Sequence, residues 1–220
     1  MRESLWLAVS ALANVCSQTL AVNPTTNKIY VANYTSGNVT VIDGATNNTT
    51  TVAAGSNPVA LVVNTSTNQI YVANTNSNNV TVIDGSTNNT TTIAVGSNPV
   101  ALAVNPSTNQ IYVANGSSNN VTVIDGATNN TTTLAVGTYP VALVVNPNSN
   151  TIYVANYGCA YNLPCGGATS SYMTVIDGAA ANSTTTVGVG TLPLNVAMNA
   201  NTNQIYVANY GSNNVTVITP

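Results

Sequence analysis

Short apolar runs alternate with clusters of turn-forming residues along most of the chain. Reading from Pro99, residues 100–104 are apolar and residues 105–109 (Asn-Pro-Ser-Thr-Asn) form a turn cluster. Residues 111–114 are β-branched, aromatic or small, and residues 115–119 form a second turn cluster. Residues 121–124 are a third run, closed by Asp125-Gly126, and residues 131–136 a fourth, ended by Gly137. Short β-prone runs bounded by Gly, Pro, Asn and Ser are the signature of strands joined by hairpins. No 3.6-residue period is sustained beyond a short stretch in the first fifteen residues. The connections, about four to six residues each, are too short for the crossover that parallel strands require, so the four runs predict an antiparallel meander.

The meander repeats. The string IYVAN begins at Ile29, Ile70, Ile111, Ile152 and Ile205, at spacings of 41, 41, 41 and 53. VTVIDG begins at Val39, Val80 and Val121, returns as MTVIDG from Met173 and ends the chain as VTVITP from Val215. Gly-x-x-Pro falls in the same phase at Gly55, Gly96, Gly137 and Gly190. Within one strand Ile111 and Val113 lie on one face, Tyr112 and Ala114 on the other. A sheet apolar on both faces must be covered on both. Packing like sheets around an axis achieves this, and a period near 41 with four strands fits a propeller blade. The prediction is an all-β β-propeller of five four-stranded antiparallel blades over residues 16–220. A β-solenoid, with shorter rungs and fewer hairpins per repeat, fits less well. The last copy stops after its third strand, so a closed ring needs a strand from the N-terminus.

The repeat resembles the YVTN family of β-propeller repeats, found in bacterial exported proteins and archaeal surface-layer proteins. The residues that carry the resemblance are Tyr30–Asn33, Tyr71–Asn74, Tyr112–Asn115, Tyr153–Asn156 and Tyr206–Asn209, all reading YVAN. The V-x-V-I-D segments ending at Asp43, Asp84, Asp125 and Asp177 match as well, as does the V-G-x-x-P junction from Val95 to Pro99. The resemblance implies the fold and a surface or exported location, but no catalytic site. Family propellers often have seven blades, against five copies here.

Residues 1–15 admit three readings: an export signal with Met1-Arg2 before an apolar core, a strand closing the last blade, or a short docking helix.

Composition narrows the chemistry. Charged residues are 3% of the chain, against roughly 25% in a typical soluble domain. Asn and Thr fill the gap, with 37 and 34 residues. The basic residues are Arg2 and Lys28, too few to neutralise a nucleic-acid backbone. No run of about 20 apolar residues offers a membrane span. The chain has no His, which excludes His-dependent nucleophilic triads. Apart from Glu3, its acids are Asp43, Asp84, Asp125 and Asp177, one per repeat at the end of the third strand. Symmetry keeps them apart, and an Asp before Gly is expected to bond its own turn. No cofactor, no metal site and no enzymatic activity are expected. Lys28 reads as an exposed polar variant of a position that is Gln or Thr in later repeats, and the repeated tyrosines read as packing between blades.

One feature breaks the symmetry. Tyr112 to Asp125 is 13 positions, whereas Tyr153 to Asp177 is 24, so the fourth repeat carries eleven extra residues at about 157–172. Cys159 and Cys165 lie six apart within it and are expected to form a disulfide if the chain is exported. Tyr157, Tyr161, Leu163 and Tyr172 would then form a ligand-binding loop, the other reading being a tolerated surface insertion. The expected function is a non-enzymatic extracellular or cell-surface propeller (periplasmic as an option) acting in assembly or adhesion. Its partner is another copy of itself, met through uncharged outer strands or N-terminal strand exchange. The alternative is a glycan- or peptide-binding module using the insertion.

Overall fold

A computed structural model describes residues 19–159 and 170–220. The readings for residues 1–15, and those for Tyr161, Leu163 and Cys165, fall outside these residues.

The described chain is all-β and antiparallel, in five consecutive sheets. The first holds β1 (Leu20–Asn23), β2 (Lys28–Asn33), β3 (Asn38–Asp43) and β4 (Thr49–Ala53). The second holds β5 (Pro58–Asn64), β6 (Gln69–Asn74), β7 (Asn79–Asp84) and β8 (Thr90–Ala94). The third holds β9 (Pro99–Asn105), β10 (Gln110–Asn115), β11 (Asn120–Asp125) and β12 (Thr131–Ala135). The fourth holds β13 (Pro140–Asn146), β14 (Thr151–Asn156), β15 (Tyr172–Asp177) and β16 (Ser183–Gly188). The fifth holds β17 (Pro193–Met198), β18 (Ile205–Asn209) and β19 (Asn214–Ile218). Strands pair in chain order within each sheet. The expectation of five four-stranded units is therefore met by four. Among the described residues the fifth sheet has three strands.

The turns explain the asparagines. Asn27, Asn68, Asn109, Asn150 and Asn203 follow the first strands with φ between 53° and 57°. Asn78, Asn119 and Asn213 take the same left-handed conformation before the third strands, as do Asn47, Asn88 and Asn129 before the fourth. Asn tolerates this backbone better than most side chains, because its short amide bonds locally. Composition and turn geometry thus have one cause.

Alternation gives every sheet two faces, and consecutive sheets pack leading face to following face. Tyr30, Ala32, Val39, Val41 and Val52 of the first sheet form one core with Leu61, Ile70, Val72 and Ile83 of the second. Tyr71, Ala73, Val80, Val82 and Ile93 of the second meet Leu102, Ile111, Val113 and Ile124 of the third. Tyr112, Val121 and Val123 meet Val145, Ile152, Val154 and Ile176 in the same way. Tyr153, Ala155 and Met173 meet Val196, Ile205 and Val207. The core is thus a series of equivalent sandwiches, in a propeller-like arrangement. Burying each Val, Leu or Ile contributes about 1.5–3 kcal/mol, so each junction is mainly an apolar contact.

A polar clasp accompanies each junction. The amide of Asn23 donates to Asn68 Oδ1 of the next sheet at 2.8 Å, Asn64 to Asn109 at 2.8 Å, and Asn105 to Asn150 at 2.6 Å. Asn146 reaches Asn203 at 3.4 Å. The donor ends a first strand and the acceptor is the left-handed Asn of the following sheet.

Candidate functional site

The four aspartates behave as turn formers. Asp43 Oδ1 accepts from the Thr46 N–H at 2.8 Å, the Ala45 N–H at 2.9 Å and the Thr46 hydroxyl at 3.0 Å. Asp84, Asp125 and Asp177 each accept from the two backbone N–H groups two and three residues on. The Thr46 N–H holds the Asp43 carboxyl below its usual range, and the Thr87 N–H does the same for Asp84. Each aspartate sits on its own sheet. Among the described residues no three metal-ligating side chains gather.

The insertion in the fourth repeat enters and leaves through the core. Tyr157 is buried, and its backbone N–H donates to the Tyr139 carbonyl at 2.9 Å. Its ring belongs to the apolar cluster between the fourth and fifth sheets. Burial raises the Tyr157 hydroxyl, with Tyr210 adding to the effect. Tyr172 is half-buried at the start of β15, opposite Gly188. Gly158 crosses Ser170 so closely that a Cβ would sit 2.4 Å from the Ser170 nitrogen, at φ +91°. Cys159 is half-buried and packs on the same cluster. Of the four side chains expected to bind a ligand there, the described two are thus a buried ring and a half-buried one.

The tyrosines of the repeat are packing residues, as expected. Tyr30, Tyr71 and Tyr112 have no exposed surface. Burial drives the Tyr71 and Tyr112 hydroxyls up to about 12. Each donates to the Gln two residues earlier, Tyr71 to Gln69 at 2.7 Å and Tyr112 to Gln110 at 2.8 Å. In the first repeat Lys28 stands where Gln would be. Lysine has no acceptor, and the buried Tyr30 hydroxyl has no partner among the described residues. Lys28 is not the exposed variant expected from sequence. It is half-buried, and its ammonium donates to the Gly85 carbonyl of the second sheet.

The largest departures from symmetry lie at the two ends of the array. On the first sheet the following-type face carries Leu20 and Val22, 52% and 50% exposed, beside the partly exposed Ile29, Val31 and Ile42. Leu61, the counterpart of Leu20 one repeat on, is 1% exposed. On the fifth sheet the leading-type face carries Val215 and Val217, 60% and 51% exposed, whereas their counterparts Val121 and Val123 are buried. Ala197 and Ala208 on that face are exposed as well. An open cleft of about 300 Å³ lies there, lined by Leu194, Ala208, Asn209, Tyr210 and Val215 among others.

No family model and no curated protein matches the chain. Among solved structures, Kuenenia stuttgartiensis hydrazine synthase is similar at 19% identity and a TM-score of 0.61, over 94% of this chain and 77% of that one. The likeness is one of fold. It extends over nearly all five sheets, so the repeated array belongs to a recurrent all-β architecture. It carries no site residue to this chain.

Sequence reading missed two groups on these surfaces. One is the clasp, whose signal was present as an Asn-to-Asn spacing of 45 in three junctions. The other is the pair of open end faces, which no local pattern marks because their residues match buried ones elsewhere.

Proposed function

We propose that this chain is a non-enzymatic extracellular or cell-surface protein of the YVTN propeller-repeat type that acts through assembly or adhesion. The finer fold assignment that goes with this reading is a propeller of five four-stranded blades, three strands of the fifth lying among the described residues and an N-terminal strand completing it. One observation carries the proposal. The outermost strands β4, β8, β12 and β16 are exposed, threonine-rich and free of charge and proline. Among the described residues each presents an unpaired backbone edge, and natural sheets normally guard such edges with Lys, Pro or bulges. A body with 3% charged residues adds little repulsion between neighbours. A glycan- or peptide-binding role for the insertion has less support, since Tyr157 is committed to the core.

Sedimentation velocity over a range of concentrations tests the reading. The wild type is expected to sediment as species larger than one chain. Lysines placed on four outer strands together (Thr50→Lys, Thr91→Lys, Thr132→Lys and Thr185→Lys) are expected to weaken that association. A wild type that stays monomeric at high concentration overturns it.

A further inference from the structure

The two end faces of the array are the two halves of a junction the chain builds four times within itself. The leading face of the third sheet, with Tyr112, Val121 and Val123, is buried against Val145, Ile152, Val154 and Ile176. The fifth sheet repeats that leading face with Tyr206, Ala208, Val215 and Val217, and among the described residues no sheet covers it: Tyr206 is half-buried and the other three are exposed. The second sheet offers Leu61, Ile70, Val72 and Ile83 to its predecessor. The first sheet repeats that following face with Leu20, Ile29, Val31 and Ile42, again with no sheet over it among the described residues: Leu20 is exposed and the other three are half-buried. The polar clasp is open at the same two places. Asn199 is the fifth counterpart of the donors Asn23, Asn64, Asn105 and Asn146, and Asn27 heads the acceptor series Asn68, Asn109, Asn150 and Asn203. Asn27 already has the left-handed backbone of that series, at φ 53°.

We infer that a second copy of this chain docks end to end, the first sheet of one copy seated on the fifth sheet of the other. The inference rests on the assembly reading above and names a surface for it distinct from the outer edges. The contact is a continuation of the internal junction. Leu20 of the incoming copy takes the place that Leu61 and Leu102 hold within the chain, over Val215 and Ala208 and the cleft beside them. Asn199 of one copy then donates to Asn27 of the other. Such a contact is heterologous: the two surfaces differ, and each copy carries one of each. Neither face bears a charged side chain among the residues named, so apolar burial dominates and salt does not dissolve the contact.

Heterology makes the test decisive. The experiment uses the full chain carrying the four outer-strand lysines, so that edge contacts are removed. Two further variants are built on it: Val215→Glu with Val217→Glu blocks the fifth-sheet face, and Leu20→Glu with Val22→Glu blocks the first-sheet face. Circular dichroism and thermal melting check that each is folded, and conservative Val215→Thr/Val217→Thr and Leu20→Thr/Val22→Thr pairs replace any that is not. In sedimentation the edge-blocked parent is expected to associate, and each end-blocked variant alone to associate at least about tenfold more weakly. An equimolar mixture of the two end-blocked variants is expected to form a one-to-one pair, because each retains the face the other lacks. Self-association of either end-blocked variant at parental strength overturns the inference. A mixture with no pairing overturns it too. A wild type that associates while the edge-blocked parent is monomeric overturns the inference and leaves the assembly reading standing. A monomeric wild type, with the faces covered by the chain's own remaining residues or by each other, overturns both.

Discussion

At the scale of single residues, hydroxyl partners divide otherwise equivalent tyrosines. Tyr71 and Tyr112 each donate to a glutamine, whereas Tyr30 faces Lys28 and has no acceptor among the described residues. A neutral hydrogen bond contributes about 1 kcal/mol net, while a buried polar group without a partner costs about 1–3 kcal/mol. Tyr71→Phe and Tyr112→Phe are therefore expected to lower unfolding free energy by about 1 kcal/mol each. Tyr30→Phe is expected to be neutral or stabilising, by urea titration of the three variants side by side. The same burial governs alkaline behaviour. The Tyr71 and Tyr112 hydroxyls rise from 10.0 to about 12 on folding, so the folded state holds these protons more tightly. Their contribution is complete below pH 10 and is lost as pH rises through about 12. At the acid end, the lowered carboxyls of Asp43 and Asp84 contribute above 3.8 and are lost as pH falls through their folded values. With no histidine, the melting midpoint is expected to be nearly flat between about pH 5 and 8 and to fall beyond pH 10.

At the scale of strands and turns, the left-handed asparagines set where each strand stops. Asn129, at φ 62°, is exposed, so its role is conformational. Asn129→Gly is expected to change stability by less than about 0.5 kcal/mol, and Asn129→Val to cost about 1–2 kcal/mol, measured by thermal melting. Asn109→Gly also removes the bond from Asn64 and is expected to cost about 1 kcal/mol. Strands and turns were legible in the sequence because both are local. The run read at residues 131–136 contains β12, Thr131–Ala135, and Asp43, Asp84, Asp125 and Asp177 bond the turns that their place before Gly implied. Lys28 was misread because its partner, the Gly85 carbonyl, lies 57 residues away on the next sheet. For Tyr157, in the insertion, the apolar wall that its ring packs against is likewise supplied by the neighbouring sheet and is not marked by any local pattern. Local composition carries no record of such distant neighbours.

At the scale of the whole molecule, identical strand positions have different energies according to the sheet they occupy. Val123 is buried between two sheets, while Val217 holds the same place on the last sheet and is half exposed. Under dilute, monomeric conditions Val123→Ala is expected to cost about 2 kcal/mol and Val217→Ala under about 0.5 kcal/mol, by denaturant titration. The sequence shows both as valine in the same string, so this difference was illegible until the ends were seen. The interchangeable junctions have a further meaning for how the gene can change. The second and third repeats present matching faces and matching clasps, so excising one whole period, residues 64–104, would bring Val63 directly before Asn105 and recreate the same contact one unit shorter. Tandem duplication would lengthen the array by the same arithmetic. Unit number in such a chain is then a heritable variable that strand slippage during replication can alter in whole steps, each product inheriting a competent core.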